Sequence, residues 1–288
     1  MKPLISYGLF ITGFVIIILF LISLSNQKKF EAMVKEEKAQ LLNETVTERR
    51  PVIDETKLEQ LPPIVKQWLI NTGIIGKPFI RTVELKQTGT MKLKPNQEKP
   101  YYPVAEQVIN VTEPGYLWSV DLQMMPVIST TGRDYFYRGN GEMLIRLGHL
   151  FAVVDEQQNE KINESSMHRF LLELPWYPTA ALETYMNWTA VDDETAEATL
   201  NYNGQTVSAI FHFNTDAELE YVEAMRYKDT GPEAERQRCF GEINSYTTVD
   251  GLRIPNQIAI TWDLEGELFT WYELNAEAFQ FDYIEPGM

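Results

Sequence analysis

The stretch that decides how this chain folds is NESSMHRFLLELPWYPTAAL, residues 163–182. Met167, Phe170, Leu171 and Leu174 recur at i, i+3, i+4 and i+7, which sets them on one face of a helix. Ser165 or Ser166 can cap its first turn, and Pro175 and Pro178 end or bend it. Strand-like segments lie on both sides of it in the sequence. An amphipathic helix between two blocks of strands must bury its apolar face on a sheet, so it reads as the cover of a curved one.

Toward the N-terminus, Val83, Leu85, Met91 and Leu93 share one parity around Gly89, the mark of a half-buried strand. Tyr116, Trp118, Val120, Leu122 and Met124 repeat the pattern, as do Met143, Ile145, Leu147, Phe151 and Val153, and Asn140-Gly141 suits a tight hairpin. On the C-terminal side Ala196 to Tyr202 and Val207 to Phe213 alternate around Asn203-Gly204. Leu219, Tyr221, Met225 and Tyr227 form a further strand, interrupted by Glu223. Asp250-Gly251 and Glu265-Gly266 mark later turns, and the apolar parity shifts near Ala278, where a bulge is expected. About ten strands with hairpin spacing predict one antiparallel domain, and a sheet of that size curls and leaves a concave face.

Leu4 to Leu24 carries no charge and has the roughly 20 apolar residues that a bilayer crossing needs. It reads as a retained single-pass anchor; the rival, a cleaved signal peptide, has a shorter apolar core, and Ser23-Leu24-Ser25 is a weak cleavage site. The chain is therefore expected at the cell membrane, contacting it through residues 4–24. Lys28, Lys29, Lys35 and Lys38 would keep the domain on the cytoplasmic side by the positive-inside rule. Anchored strand-rich binding domains commonly sit outside, and both orientations stand. Residues 29–56 read as a juxtamembrane helix and a linker that includes Thr47. Thr56 with Glu59 suits a capping box ahead of a helix whose stripe is Leu61, Val65, Trp68 and Leu69, with Pro62 and Pro63 in its first turn and Gly73 as its stop. The expected division is 1–28 anchor, 29–56 helix and linker, and 57–288 a single domain. Its fold class is α+β, a large half-barrel-like antiparallel sheet with a central covering helix, preceded by a transmembrane helix.

The formal charge of -16 is unevenly spread: the last third, residues 181–288, holds 5 Lys/Arg against 21 Asp/Glu, and the rest of the chain is balanced. Such a surface repels phosphate backbones, which argues against nucleic acid as a partner. Its single cysteine, Cys239, builds neither a disulfide framework nor a thiolate metal site.

Arg169, Leu171, Glu173, Trp176, Tyr177, Pro178 and Ala180, spaced R-x-L-x-E-x-x-W-[FY]-P-x-A, resemble the signature of an uncharacterised bacterial membrane-anchored family, a domain of unknown function. LPPIVKQWL at 61–69, G-x-P-x-x-R-T-V at 76–83, VSAIFHF at 207–213 and GLRIPNQIAITW at 251–262 support the likeness. The resemblance implies a fold similar to the half-barrels of bacterial lipoprotein carriers, and it transfers no catalytic residue.

Chemistry-bearing motifs are sparse. His149, His168 and His212 are too scattered for a helical zinc motif, no phosphate-cradling glycine loop occurs, and the elbow that would make Ser165 or Ser166 a nucleophile is missing. His149 reads as a core histidine and His212 as solvent-facing. No catalytic residue, metal ligand or cofactor is assigned. The candidate ligand contacts are His168, Arg169, Glu173, Trp176 and Tyr177, at the mouth or lining of a cavity under the helix. The expected function is non-enzymatic binding of an apolar or lipid-like molecule there. The alternatives are a scaffold that docks a basic partner on the acidic third, and a hydrolase whose groups converge only in space.

Overall fold

The computed structural model describes residues 2–44, 49–125 and 128–287, with side chains from Thr12 onward, Ile128 excepted. Residues 45–48, among them Thr47 of the expected linker, lie outside the described residues. Six strands precede the central helix: β1 (Ile80–Met91), β2 (Val104–Asn110), β3 (Gly115–Met125), β4 (Ile128–Tyr137), β5 (Asn140–Leu147) and β6 (Phe151–Glu156). Seven follow it: β7 (Met186–Ala190), β8 (Thr195–Tyr202), β9 (Gln205–Phe213), β10 (Leu219–Tyr227), β11 (Arg236–Val249), β12 (Leu252–Leu264) and β13 (Glu267–Tyr283).

Among the described residues these strands form one antiparallel sheet in the order β6-β5-β4-β3-β2-β1-β13-β12-β11-β10-β9-β8-β7. Each block is a meander, and the two are joined where β1 pairs with β13, from Ile80↔Tyr283 to Met91↔Tyr272. Twist accumulated over so many strands curls the sheet into a half-barrel. The helix α3 (Glu160–Leu172) lies in its concavity, touching β5 on one arm and β9 and β10 on the other. The fold is α+β with a curved antiparallel sheet, as the alternating parities predict.

Several local details differ from the sequence reading. The helix is capped by Asn159, six residues before Ser165, and the Asn159 side chain accepts from the Lys161 amide, so Ser165 and Ser166 are buried interior residues and not caps. Pro175 and Pro178 each open a short 3-10 turn. The β4–β5 turn falls on Arg138-Gly139, both at positive φ, and not on Asn140-Gly141. Gly141 serves another purpose: a Cβ there would meet Ser166 Oγ at 2.4 Å and the Ile162 carbonyl oxygen at 2.6 Å, so only glycine lets β5 approach α3 this closely. The run from Met143 to Val153 is two strands, broken at Gly148 and His149, which both adopt positive φ. In β10 a register shift between Leu219 and Tyr221 turns Val222 and Ala224 inward and leaves Met225 exposed, opposite to the expected parity. The Asn203-Gly204, Asp250-Gly251 and Glu265-Gly266 turns stand where expected, and Ala278, at φ 54, sits at the break in the β1–β13 register.

The helix α2 (Pro63–Thr72) starts on Pro62 and Pro63 and ends on left-handed Gly73, while Asp54, not Thr56, caps the preceding 3-10 turn. Its Trp68 packs on Trp188, Phe211 and Phe213 at centroid distances of 5.7–6.2 Å. The segments expected as anchor and juxtamembrane helix form one continuous helix, α1 (Lys2–Leu42). The C-terminal half of α1 lies on the outer face of the sheet, where Leu41, Val108, Leu117 and Tyr135 form a second apolar cluster. Buried Arg133 clamps it there, bonding both carboxylate oxygens of Glu37 and, at 2.8 Å, Glu142.

Gly89 holds φ at +152°, and a Cβ there would lie 2.0 Å from the Glu273 carbonyl oxygen on β13. The seam between the two meanders therefore tolerates no side chain at this position. Gly89→Ala is expected to lower the urea-unfolding free energy by roughly 3 kcal/mol. Gly204→Ala, at positive φ but facing open space, should cost only about 1 kcal/mol.

Candidate functional site

Between α3 and the central strands β11 to β13 the sheet encloses a cavity of about 560 Å³. Strand periodicity builds its wall: Ile258, Ile260 and Trp262 alternate along β12, Phe269 and Trp271 along β13, and Cys239, Gly241 and Ile243 along β11. These side chains project to the concave face because residues two apart share a face. Gly241 has only Ile258 Cγ2 near its Cβ position, at 3.5 Å, and so contributes open space. The volume lies within the range of about 300–1,000 Å³ common to ligand pockets.

The side of the cavity against the helix is polar. Arg169 on α3 binds Glu173 one turn on (Nε to Oε1, 2.8 Å) and Asp134 on β4 (Nη1 to Oδ2, 2.7 Å). Its guanidinium also lies over the rings of Tyr116 and Trp118, at 4.9 and 5.0 Å. Gln107 donates to Glu173 at 2.6 Å, Gln87 donates to Gln107 at 2.7 Å, and the Trp118 indole donates to Gln87 at 3.0 Å. The network compensates the burial of its charges, as low-dielectric surroundings require. Desolvation pushes the Asp134 carboxyl up, with Arg169 and Arg226 pulling it back. Burial also raises the Tyr116 phenol to about 12.

Arg226 on β10 supplies a second cation at the wall. Its Nη2 donates to Ser165 Oγ at 2.9 Å and to the Ser165 carbonyl at 3.0 Å, and its guanidinium lies 5.4 Å over Trp262. The indole N–H of Trp271, also on the wall, is buried and meets no acceptor among the described residues.

Of the residues singled out by sequence, Arg169, Glu173 and Trp176 border this cavity. Trp176 is held by its own indole, which donates to the Pro255 carbonyl at 3.0 Å, and by edge packing on Phe279. Tyr177 lies in the core instead: its ring packs 5.2 Å from Phe170 and its hydroxyl donates to the Phe170 carbonyl. His168 faces away from the main cavity toward a shallower one of about 420 Å³, shared with Glu197, Glu223, Arg236 and Arg238. Of the other two histidines, His212 lies on the outer face of β9, as expected, and His149 is not a core residue. His149 sits in the β5–β6 turn, and His212 stacks on Tyr221 at 4.0 Å and bonds Glu223 at 3.1 Å.

Sequence reasoning missed Gln87, Gln107, Asp134 and Arg226. For Gln87 and Gln107 a signal existed, since each occupies an inward position among apolar residues of its strand. Arg226 was hidden by the β10 register shift. Among the described residues no group of three or more His, Cys, Asp or Glu is placed to hold a metal ion. The Ser165 hydroxyl donates to the Tyr227 carbonyl at 2.7 Å, and His168 Nδ1 lies 3.1 Å from the Glu164 carbonyl. The polar atoms on the helix side of the cavity are arranged in mutual bonds.

Burial, assisted by Arg226 and only partly offset by Glu164, lowers the His168 pKa to about 4. An unfolded histidine titrates near 6.5, so between those values the unfolded chain binds more protons and stability rises with pH. His168 should therefore remove up to about 3 kcal/mol as pH falls from 7 to 4. Asp134, whose pKa is raised, acts with the opposite sign. The isolating measurement is the difference in urea midpoint between the wild type and His168→Gln, which should shrink as pH falls if the imidazole is the titrating group.

A search of curated proteins returns no match to the chain. A family model does match, over residues 59–281, from just before α2 almost to the end of β13. That span takes in the half-barrel, the covering helix and every cavity residue named above, and the chain belongs to the family of unknown function DUF6920.

Proposed function

We propose that this protein is a membrane-anchored, non-enzymatic binding protein that holds an apolar or lipid-like molecule between the curved sheet and α3. The observation that carries the reading is the composition of the cavity: an aromatic and aliphatic wall on β11 to β13 faces a charged cluster on α3 and β4. A preformed apolar space with a few fixed polar groups is the usual form of a small-molecule site. Burying a guest there contributes about 25 cal/mol per Å² of apolar surface removed from water. The Arg226 guanidinium at the cavity wall favours a guest with an acceptor, such as an ester or carboxylate.

The anchor part of the reading rests on α1. It is the one helix among the described residues long and apolar enough to cross a membrane, a property that an N-terminal signal sequence shares. Phe14, Ile16, Ile17, Phe20 and Leu21 stand exposed along it, which a protein in water does not favour over so long a run.

Native mass spectrometry of detergent-purified protein should show a bound lipid that leaves on unfolding. Gly241→Leu adds a side chain into the cavity from a strand position with ordinary backbone angles, so it should abolish the adduct with Tm unchanged to within a few degrees. Wild-type protein free of any lipid, or Gly241→Leu carrying as much as wild type, would overturn the proposal.

A further inference from the structure

The helix α1 leaves the sheet at a definite place. Ser23 Oγ donates to the Gly148 carbonyl at 2.8 Å and Asn26 Nδ2 to the His149 carbonyl at 2.9 Å, which pins α1 to the β5–β6 turn. Further along, Asn110 Nδ2 donates to the Leu41 carbonyl at 2.8 Å, at the far end of β2. The helix therefore runs along the outer face from one edge of the sheet to the other, and residues 2–22 project beyond the β5–β6 edge. At 1.5 Å per residue that projection is about 30 Å long, the thickness of a hydrocarbon core.

Antiparallel order fixes what else lies at this edge. The ends of β1, β3 and β5 and the starts of β2, β4 and β6 all meet there, since each pairs in register with its neighbour. The β5–β6 turn is bonded to the start of β4, Gly148 N donating to the Ser129 carbonyl at 2.8 Å. Leu93, Met125, Phe151 and Val153 at this edge are all more than half exposed, with Phe151 at 63%. Lys28 and Lys29 of α1 and Lys92, Lys94 and Lys99 of the β1–β2 connection accompany them. Exposed large apolar side chains elsewhere on the domain, such as Val52, Val191 and Met225, are scattered. Leu268, on the β12–β13 side, stands among Asp263, Glu265 and Glu267, which anionic headgroups repel.

We infer that the β1–β6 side of this edge is a second membrane contact, with Leu93, Met125, Phe151 and Val153 seated in the lipid interface around the exit of α1 and the lysines among anionic headgroups. The inference rests on the anchoring of α1 in the bilayer. With residues 2–22 in hydrocarbon, Ser23 and Asn26 stand at headgroup level, and their bonded turn is carried to the same depth. Apolar groups next to an inserted helix gain by entering the interface, and basic groups gain from anionic lipid. Leu93 belongs both to this edge and to the cavity lining, so a guest would pass between bilayer and cavity along an apolar path.

The test uses the full chain reconstituted in vesicles of phosphatidylcholine and phosphatidylglycerol, with a bimane label at one introduced cysteine. Native Cys239 is 1% exposed and closed to the reagent. Labels at Phe151→Cys and Leu93→Cys should be quenched by nitroxide-bearing lipid about threefold more than one at Gln60→Cys, on the opposite edge. Leu19→Cys reports the anchor separately. Quenching at Leu19→Cys with Phe151→Cys no better quenched than Gln60→Cys would sink the interfacial contact and leave the anchor intact. Absence of quenching at Leu19→Cys would remove the anchor, and this inference with it.

Discussion

The contact on which the structure depends is the one between α3 and two strands that lie far apart in the sheet order. β5 is the second strand from one end and β10 the fourth from the other, yet α3 touches both. It can do so because Gly141 lets the start of β5 meet the helix backbone, with the Gly141 amide donating to Asn163 Oδ1 at 2.7 Å. On the other arm Lys161 Nζ gathers the carbonyls of Gly231, Pro232 and Ala234, and Glu164 pairs with Arg236. The curl is thereby held at a fixed radius: a sheet this long could flatten or close further, and the bridge prevents both.

That fixed radius explains the cavity. One helix about 10 Å across cannot fill the concavity of a half-barrel, so part of the inner face has no partner. Where α3 is in contact, Met167, Phe170 and Leu171 bury fully among the aromatics of the core. Where it is not, the strand side chains of β11 to β13 line empty space. The charged cluster of Asp134, Arg169 and Glu173 stands at the boundary between the two zones. It ties the helix to β4 without filling the gap, since each of its charges is satisfied by a neighbour.

The same continuity links the domain to the apolar helix. The apolar segment and the polar stretch after it are a single helix, clamped to the outer face by the Glu37–Arg133 pair, the Leu41 cluster and the Ser23 and Asn26 bonds. A hinge between span and domain would leave the orientation of the half-barrel free. A continuous helix bonded along its length does not, so sheet, cavity and apolar helix share one frame.

The architecture was legible from the sequence because its cause is local. Alternation at two residues, the helical face Met167–Phe170–Leu171–Leu174, the Asn203-Gly204, Asp250-Gly251 and Glu265-Gly266 turns and the break at Ala278 are short-range patterns set by backbone sterics and solvent exclusion. So was the Arg169–Glu173 pair, a consequence of one helical turn. The β4–β5 turn escaped because Arg138 is not a residue that favours left-handed geometry, while Asn140-Gly141 imitates such a turn. What tertiary structure alone decided is which inward residues meet: that His168 turns away from the main cavity and Tyr177 into the core, that Gln87, Gln107, Asp134 and Arg226 converge on α3, and that a gap remains beneath it. Those facts follow from the register of β10 and from the radius at which two distant strands grip one helix, and neither quantity is carried by any short stretch of chain.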